Sequence, residues 1–342
     1  MTKVPKVAAV ILNWNGRSYL ESFLPSVIGS TYPNLEIVVG DNASTDNSIE
    51  FLQINYPTVR IIQNDKNYGF AAGYNRIFEQ IDAEYYILLN SDVEVSPDWI
   101  EPMIHMMESE MYIAAAQPKI LSYSKKDHFE YAGAAGGYID ALGYPFCRGR
   151  IFDTVEEDLG QYDDQSEIFW ASGAALFIKR KYWIEVGGLD PDFFAHMEEI
   201  DLCWRLKNKG YMIVFCPQSK VYHVGGGTLN AESPFKTYLN FRNNLVLLQK
   251  NLPFSKAILV IFIRFWLDLI SLIKYLVDGK PGNALAISKA HFYFLGHLIR
   301  NIKKAREINV SRFNATGLYK ESIVWQYFIR KKKTFSSLKK TI

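Results

Sequence analysis

The sequence has 342 residues, of which 49% are hydrophobic and 22% are charged, which suits a globular domain with additional material. The net charge is only +2, but residues 251–342 contain 17 Lys and Arg and 4 Asp and Glu, whereas residues 1–250 contain 21 and 32. An acidic body with a basic tail indicates an anionic partner, either a membrane or a nucleic acid; the alternative is a basic tail that is simply solvated.

Cysteine usage and the first apolar run bear on the cellular compartment. Cys147, Cys203 and Cys216 share no CxxC spacing, so we expect buried thiols in a reducing environment and neither disulfides nor a zinc site. The run VAAVIL, residues 7–12, is too short for a signal-peptide core, and no small-residue cleavage site follows it. We therefore expect a cytoplasmic protein without a signal peptide.

The first 90 residues alternate between predicted strands and predicted helices. Strands are expected at residues 7–12, 35–40, 59–64 and 85–89. Helices are expected at residues 17–30, 48–54 and 70–81. Strand–helix alternation at this spacing predicts an α/β fold built on a parallel, doubly wound sheet.

The fourth predicted strand, Tyr85–Leu89, is an unbroken apolar run that ends at Asn90, Ser91 and Asp92, with Glu94 two residues further on. Ligands of parallel α/β sheets bind outside the carboxyl ends of the strands, so a site is expected here. The alternative is a capping loop, because Asn, Ser and Asp are ordinary turn residues.

The second half of the sequence is less regular. From about residue 120 to 165, glycines and aromatic residues suggest loops or short strands over a cleft. Three further elements follow: a strand at 168–180, a helix at 197–211 that Gly210 closes, and a last strand leading into a glycine-rich loop at 212–228. After residue 235 the sequence is helical and basic.

Polar side chains follow four of the apolar strands, and their pattern excludes two common nucleotide sites. The turn after the first strand reads NWNGRS, without the G-x-G-x-x-G glycines of a dinucleotide oxidoreductase, and no P-loop sequence is present. A phosphate ligand would therefore be held mainly through a cation. Asp92 is a hard oxygen ligand suited to Mg²⁺ or Mn²⁺, which proteins bind through one or two carboxylates plus substrate phosphates.

Six sequence motifs occur in the order found in family 2 glycosyltransferases: VILNWNG, DNASTD, NYGFAAGYN, LLNSDVEV, GGLDPDFFAHMEEIDLCWRLKNKG and HVGGGT. Across roughly residues 6–250 the chain most resembles the rhamnosyltransferase-like branch, which builds bacterial surface polysaccharides. The resemblance implies a GT-A fold, a nucleotide-sugar donor, a divalent cation and inversion at the anomeric carbon.

The resemblance also implies candidate residues for the nucleotide sugar. Asp41 matches the aspartate that contacts the nucleotide base, and Asn13 and Asn15 lie in the turn beside it. The segment that wraps the nucleotide supplies four further candidates, which are Asn67, Gly69, Gly73 and Asn75.

A second group of residues matches the family's metal site. Asn90, Ser91 and Asp92 occupy the place of the DxD motif. Asn90 departs from the usual first Asp, as it does in many members of this branch, so Asp92 is the carboxylate ligand and Asn90 a contact of the nucleotide sugar. His223 matches a histidine that completes metal or diphosphate binding in some relatives; the alternative is a hydrogen-bonded structural histidine.

The candidate general base lies in HMEEID, residues 196–201. Inversion needs a carboxylate near the acceptor hydroxyl to remove its proton. Matching the motif places this base at Glu199, a Glu where Asp is common, with Glu198 as the second candidate. The alternative is that acids in the first turn of a helix merely offset its dipole, which suits Asp201 because Arg205 lies four residues on.

Residues 257–277 approach the length of a membrane span, but three charges, among them Arg264 and Asp268, argue against a single span. The polar residues form one stripe, so we expect a helix that lies at an interface or packs on a neighbour with this stripe exposed. The basic sequences that follow could hold anionic lipids at about 1 kcal/mol per basic residue. We therefore favour peripheral attachment to the membrane.

These patterns predict a transferase domain over residues 1–235 and a helical, basic region over residues 236–342. The expected function is metal-dependent, inverting transfer of a sugar from a nucleoside diphosphate to a lipid-linked glycan in cell-surface polysaccharide synthesis. One alternative is a non-catalytic carbohydrate-binding or scaffold protein on a degenerate transferase fold. Another is a nucleic-acid binder, against which the acidic body and the lack of a nucleic-acid motif argue.

Overall fold

The computed structural model describes residues 4–225, 233–308 and 315–338. Gly226, Gly227 and Thr228 of the predicted glycine-rich loop lie outside these residues. In chain order the described strands are β1 (Val7–Asn13), β2 (Leu35–Asp41), β3 (Arg60–Gln63), β4 (Tyr85–Leu89), β5 (Val93–Val95), β6 (Ile113–Ser122), β7 (Gly137–Asp140), β8 (Pro145–Cys147), β9 (Arg150–Ile151), β10 (Thr154–Val155), β11 (Ser166–Ile168), β12 (Ala175–Lys179), β13 (Met212–His223) and β14 (Leu318–Tyr319). The described α-helices are α1 (Arg17–Ile28), α2 (Ser48–Asn55), α3 (Gly69–Phe78), α4 (Glu101–Ser109), α5 (Arg180–Val186), α6 (Glu198–Asn208), α7 (Pro234–Asn251), α8 (Phe254–Val277), α9 (Pro281–Gly296) and α10 (Leu298–Ile308).

A large sheet forms the centre of the protein, with strand order β11-β13-β6-β12-β4-β1-β2-β3, and β5 pairs with the far end of β13. β4 is buried along its whole length, as expected of a strand with both faces covered. In β1, side chains alternate between the faces, so Val7 and Ile11 join one core while Ala8 and Val10 join the other.

The register of the parallel strands defines one edge of this sheet. Asn13 at the end of β1 lies opposite Asp41 at the end of β2, and Ile11 lies opposite Leu89 at the end of β4. The turns that follow these three strands therefore meet at the same edge, which is where the sequence predicts the site.

The α/β class is confirmed, and the first four strands lie close to their predicted bounds. The sheet is not wholly parallel, however, because β12 runs antiparallel to both β4 and β6. No crossover helix separates β6 from β12, so the chain returns from the edge at which β6 ends, and antiparallel neighbours need no crossover. The strand predicted at 168–180 is confined to Ala175–Lys179 and the end of β11.

The irregular segment forms a smaller second sheet of short strands, in the order β10-β9-β8-β7-β14. The short strands predicted between residues 120 and 165 are thus confirmed. β14 comes from the C-terminal part of the chain and pairs in parallel with β7. The predicted buried thiols are also confirmed, because Cys147, Cys203 and Cys216 are all buried and free.

The C-terminal region is helical, as predicted. Leu245, Leu247 and Leu248 of α7 belong to the same core as the α3 face of the large sheet. Within the described ranges, none of the helices combines the length and low charge needed to cross a bilayer.

The polar stripe of α8 faces the protein, so the expectation of an exposed stripe is wrong. Arg264 and Asp268 are 3% and 0% exposed and pair with each other at 3.3 Å. Arg264 also donates to Oδ1 of Asn244 and to the carbonyl of Leu142, and Asp268 contacts Nε2 of His291 at 3.0 Å. These partners satisfy the charges inside the protein and leave the apolar side of the helix outside.

Candidate active site

The turns after β1 and β2 form a buried polar cluster. The side-chain amide of Asn13 donates to Oδ1 of Asp41 and to Oγ of Ser44, both at 3.1 Å. Ser44 donates to both carboxylate oxygens of Asp41, through its N–H (2.9 Å) and its hydroxyl (2.5 Å). The structure thus brings Asn13 and Asp41 together as predicted. Asp41 is 2% exposed, whereas Ser44 is partly exposed and is the more accessible member of the cluster.

Asn15 joins the same two turns from the outside. Its Oδ1 accepts hydrogen bonds from the N–H groups of Thr45 (2.7 Å) and Asp46 (3.3 Å), and its own N–H donates to Ser44 (2.9 Å). The backbone of Asn15 has φ +52°, a left-handed conformation that Asn adopts more readily than most residues. Asn15 therefore holds the turn after β1 against the turn after β2.

Asn42, a residue that the sequence analysis missed, links these turns to the segment before α3. Its side-chain amide donates to Oδ1 of Asn67 (2.9 Å) and to the carbonyl of Gly69 (3.0 Å). Gly69 has φ +74°, and a Cβ there would lie 2.5 Å from the ring of Phe194. Only glycine fits this position, so the motif glycine sets the approach of α3 to residue 194.

Gly73 and Asn75 contribute to packing within the fold. A Cβ on Gly73 would lie 3.0 Å from Leu12, so the glycine lets α3 approach β1 closely. The amide of Asn75 pairs with the backbone of Leu189, donating to its carbonyl (2.7 Å) and accepting from its N–H (3.0 Å). These two residues hold the helix that borders the predicted nucleotide segment.

Asp92 and His223 meet at the carboxyl edge of the sheet. Nε2 of His223 lies 3.1 Å from Oδ1 of Asp92 and 3.4 Å from the side-chain amide of Asn90. Nδ1 of His223 lies 3.2 Å from Oε2 of Glu130, a second buried carboxylate that the sequence analysis missed. Burial alone would lower the pKa of His223, but Asp92 and Glu130 outweigh it and raise the pKa to about 10.

These side chains suit a divalent cation that is completed by substrate oxygens. One carboxylate and one imidazole nitrogen match the preferences of Mn²⁺ when the cation displaces the proton from Nε2 of His223, with phosphates supplying the remaining ligands. Glu130 on the opposite ring nitrogen is the kind of outer carboxylate that orients a metal-binding histidine. Among the described residues, no group of three or more His, Cys, Asp or Glu side chains is arranged to hold a metal without such help.

Glu198 and Glu199 begin α6, and each has one buried carboxylate oxygen without a hydrogen-bond partner within the described parts of the chain. Burial raises the pKa of Glu199 to about 7. Burial and the neighbouring Glu199 raise the pKa of Glu198 well above its usual range. A carboxylate with a pKa near neutrality and a free oxygen can accept a proton from a bound hydroxyl.

The loop before α6 is conformationally strained. Phe194, His196 and Met197 all have positive φ angles, between +63° and +73°. Asn243 of α7 holds this loop by donating from its side-chain amide to the carbonyls of Phe193 (3.0 Å), Ala195 (2.9 Å) and His196 (2.7 Å). Backbone strain of this kind persists only where surrounding contacts fix it, and it clusters at functional sites.

Asp201 has the structural role that its spacing predicts. Its carboxylate accepts hydrogen bonds from Arg205 (2.7 Å), Lys250 (2.8 Å) and Asn251 (2.8 Å). Burial opposes ionisation, but Lys250 and Arg205 outweigh it and lower the pKa of Asp201. The predicted ion pair with Arg205 is confirmed, and the bonds from Lys250 and Asn251 anchor α6 to α7.

Short contacts place Asp92 and the pair Glu198 and Glu199 at the same edge of the large sheet. The N–H of Asn90 donates to the carbonyl of Ala174 (3.0 Å), and a Cβ on the preceding residue, Gly173, would lie 4.0 Å from Cβ of Glu199. On the other side, a Cβ on Gly16 would lie 3.6 Å from Oγ of Ser91. The turn after β1, the Asp92 turn and the start of α6 thus surround a common region.

A cavity of about 700 Å³ lies elsewhere, at the amino-terminal ends of β1 and β4. It is lined by Lys6, Asp82, Glu84, Arg180 and Lys181, among others. Ligands of sheets of this kind bind at the carboxyl ends of the strands, so the candidate site is the opposite edge and not this cavity.

The chain belongs to glycosyl transferase family 2, whose family model matches residues 8–178. N-acetylglucosaminyl-diphospho-decaprenol L-rhamnosyltransferase of Mycobacterium tuberculosis is 28% identical over 241 residues, which are 65% of this chain and 76% of that protein. Low-salt glycan biosynthesis hexosyltransferase Agl10 of Haloferax volcanii is 23% identical over 263 residues, or 75% and 79% of the two chains. The predicted family membership is confirmed.

Two solved structures show the same fold at low identity. GalNAc-T7 with UDP, GalNAc and Mn²⁺ has a TM-score of 0.57 at 18% identity, over 73% of this chain and 48% of that one. Mannosyltransferase PcManGT from Pyrobaculum calidifontis, in complex with GDP-Man and Mn²⁺, has a TM-score of 0.51 at 13% identity, over 90% and 86%. The predicted GT-A fold is confirmed.

Proposed function

We propose that this family 2 glycosyltransferase moves a sugar, with inversion, from a nucleoside-diphosphate donor to a lipid-linked glycan in cell-surface polysaccharide synthesis. The observation on which the proposal rests is that Glu198 and Glu199 each keep one buried carboxylate oxygen without a partner among the described residues, at the same edge as Asp92 and His223. A scaffold protein has no need of buried acids without partners, because each one costs stability.

The donor would occupy the edge formed by the first two turns. Asn13, Asn15 and Asp41 would bind the nucleoside, with Ser44 as the accessible donor and acceptor. Five further candidates would line or shape the path toward the diphosphate: Asn67, Gly69, Gly73, Asn75 and Asn90. UDP in GalNAc-T7 and GDP-Man in PcManGT support a sugar nucleotide as the donor class.

Asp92 and His223 would hold the divalent cation, Mg²⁺ or Mn²⁺. When bound, such a cation offsets the negative charge that develops on the leaving diphosphate. The donor set of the site and the Mn²⁺ in both solved structures support this part of the proposal.

Glu199 would act as the general base. The acceptor hydroxyl oxygen forms a bond to the anomeric carbon while the bond from that carbon to the diphosphate oxygen breaks. The hydroxyl proton passes to the carboxylate of Glu199, and Glu198 is the second candidate for this role. A single displacement inverts the anomeric centre, and no sugar–enzyme bond forms.

The lipid-linked acceptor is supported by the decaprenol-linked acceptor in the name of the mycobacterial relative. We infer a peripheral enzyme at the cytoplasmic face of the cell membrane, where the basic residues of the region 236–342 would contact anionic lipids, while residues 1–235 form the transferase domain.

The test is release of nucleoside diphosphate from a panel of nucleotide sugars in the presence of a polyprenyl-diphosphate glycan, with and without Mn²⁺. We expect one donor to react and the chelator EDTA to stop the reaction. Asp92→Ala should be folded and inactive, whereas Asp98→Ala, an exposed aspartate six residues on, should keep wild-type turnover. Near-normal turnover of Asp92→Ala with EDTA present would refute the metal-dependent mechanism.

A further inference from the structure

The outer side of α8 is a continuous apolar surface. Nine large side chains between 41% and 81% exposed recur every three to four residues along the helix: Ile258, Leu259, Phe262, Trp266, Leu269, Ile270, Ile273, Leu276 and Val277. We call these nine residues the α8 face. Isolated exposed apolar residues are normal, but a contiguous patch of this extent marks an interaction surface.

The orientation of α8 is the reverse of that expected for a helix on a water-exposed surface. Such a helix buries its apolar stripe and exposes its charges. Here Arg264 and Asp268 are buried and paired, and Asn244 and His291 complete their contacts. The protein therefore holds the polar stripe inward with specific partners, which fixes the apolar side toward the surroundings.

The segment that carries the α8 face is basic in sequence, although Arg264, Arg300 and Lys304 are paired with Asp268, Asp192 and Asp190. Residues 254–308 contain nine Lys and Arg and three Asp and Glu. Of the three acids, Asp268 is buried in its ion pair and Asp278 contacts Lys274, whose side chain is 72% exposed. An apolar ridge on a segment rich in Lys and Arg complements an anionic lipid surface, with acyl chains under the ridge and head groups beside it.

We propose that α8 lies flat in the head-group region of an anionic bilayer, with the α8 face inserted into the acyl-chain boundary. Its 24 residues span about 36 Å along the membrane plane. This inference rests on the proposed function, because a lipid-linked acceptor has to be reached from the bilayer surface.

The attachment would also orient the active site. Two adjacent residues of α7 connect the regions: Asn244 accepts from Arg264 of α8, and Asn243 donates to the strained loop that precedes Glu198 and Glu199. Helix α7 thus joins the membrane-bound α8 to the loop that precedes the candidate base. The carboxylates would keep a fixed height above the lipid head groups.

Co-sedimentation of the full chain with vesicles tests this inference. Wild type should bind vesicles of phosphatidylcholine with phosphatidylglycerol, and a variant combining Phe262→Ser, Trp266→Ser and Ile270→Ser should bind at least about tenfold more weakly. The matched control combines Ile54→Ser, Leu159→Ser and Ile184→Ser, which remove equally exposed apolar residues elsewhere and should leave binding unchanged. Lipids brominated on their acyl chains should quench the tryptophan fluorescence of wild type more than that of Trp266→Phe.

Each outcome separates this inference from the proposed function. Weak transfer to a vesicle-bound acceptor, with normal transfer to a short-chain acceptor analogue, is expected of the Ser variant. Equal vesicle binding by the variant and wild type would overturn the membrane-inserted face. The inference would also be overturned if wild type bound no vesicles and instead formed a dimer in the absence of lipid that the same substitutions disrupted. A second copy of the chain would then cover the α8 face. Absence of transfer by wild type to both acceptors would instead refute the proposed function.

Discussion

Helices α6 and α8 each bury an acid and an arginine four residues apart, yet they differ in what surrounds the pair. In α6, Asp201 and Arg205 lie 2.7 Å apart, and Glu198 and Glu199 stand one turn earlier, each with one buried oxygen that lacks a partner in the described part of the chain. In α8, by contrast, both charges of the stripe are matched. Paired buried charges fix the position of a helix, whereas unpaired ones are retained at a cost that only a chemical role explains.

Loss of the Glu199 carboxylate gives the largest expected effect. Glu199→Gln keeps the size of the side chain and removes its basicity, so transfer should slow by roughly 10²–10⁴-fold. Donor affinity, measured by calorimetry with the nucleoside diphosphate, should stay the same because Asp41 and Asp92 are intact.

Glu198→Gln is the matched control on the same turn. If Glu198→Gln were inactive while Glu199→Gln turned over within a few-fold of wild type, the base would be Glu198. Full activity in both variants would remove α6 from the chemistry and make its unpaired acids structural.

Removing the paired acid of α6, Asp201, should lower the stability of the protein and not its rate of transfer. Asp201→Asn leaves Arg205 buried without a carboxylate partner and Lys250 with only that of Asp190, which should lower the free energy of unfolding by about 3–5 kcal/mol. Glu185→Gln, which breaks the exposed pair with Lys209, should cost only about 0–1 kcal/mol. Urea denaturation measures both, and turnover per folded molecule of Asp201→Asn should remain close to wild type. An equally small cost for both variants would contradict the distinction between buried and exposed pairs.

The contrast between the helices also shows what the sequence could predict. The alternation of local patterns identifies β1 to β4, and motif order brings Asp92 and His223 to one site. Periodicity in α8 reveals a polar stripe but not the side that faces the protein. That choice depends on Asn244 and His291, which are distant in sequence and meet the stripe only in the folded chain.

Other features were beyond sequence reasoning for similar physical reasons. The direction of β12 follows from a connection without a helix, which local propensity does not encode. Glu130 lies in a segment without regular periodicity, and Asn243 is one of three neighbouring polar residues on α7. Their partners, His223 and the loop before α6, are far away along the chain.

Loss of the Asn243 clamp should have an intermediate effect on both properties. Asn243→Ala removes the side-chain donor shared by the carbonyls of Phe193, Ala195 and His196, of which Phe193 keeps the guanidinium of Arg242, and this should lower the free energy of unfolding by about 1–3 kcal/mol. Because the clamp positions the base, kcat should fall while donor affinity holds, and the apparent pKa of the rate profile should move.

Asn244→Ala is the control for Asn243→Ala, since its side chain contacts Gly143 and Arg264 and not the strained loop. A purely structural role for Asn243 would give the same kcat and the same pH profile in both variants.

The last expected effect is a pH dependence of stability that has opposite signs on the two sides of the comparison. The pKa of Glu199 rises from its usual 4.5 to about 7, so between these values the folded protein binds more protons than the unfolded chain. Its free energy of unfolding should therefore fall as the pH rises through this window, and the penalty should be complete above pH 7.

Glu199→Gln removes this penalty, so its stability relative to wild type should increase from pH 5 to pH 8 in urea denaturation curves. Asp201→Asn should show no such trend over the same range. The pKa of Asp201 is lowered below its usual 3.8, so the stabilising charge is fully present above that value and disappears only as the pH falls below it. If the free energy of unfolding changed with pH in the same way in wild type and Glu199→Gln, Glu199 would be as ionised in the folded protein as in the unfolded chain. Its pKa would then not be raised, and Glu199 would lack the property that suits it to act as a base.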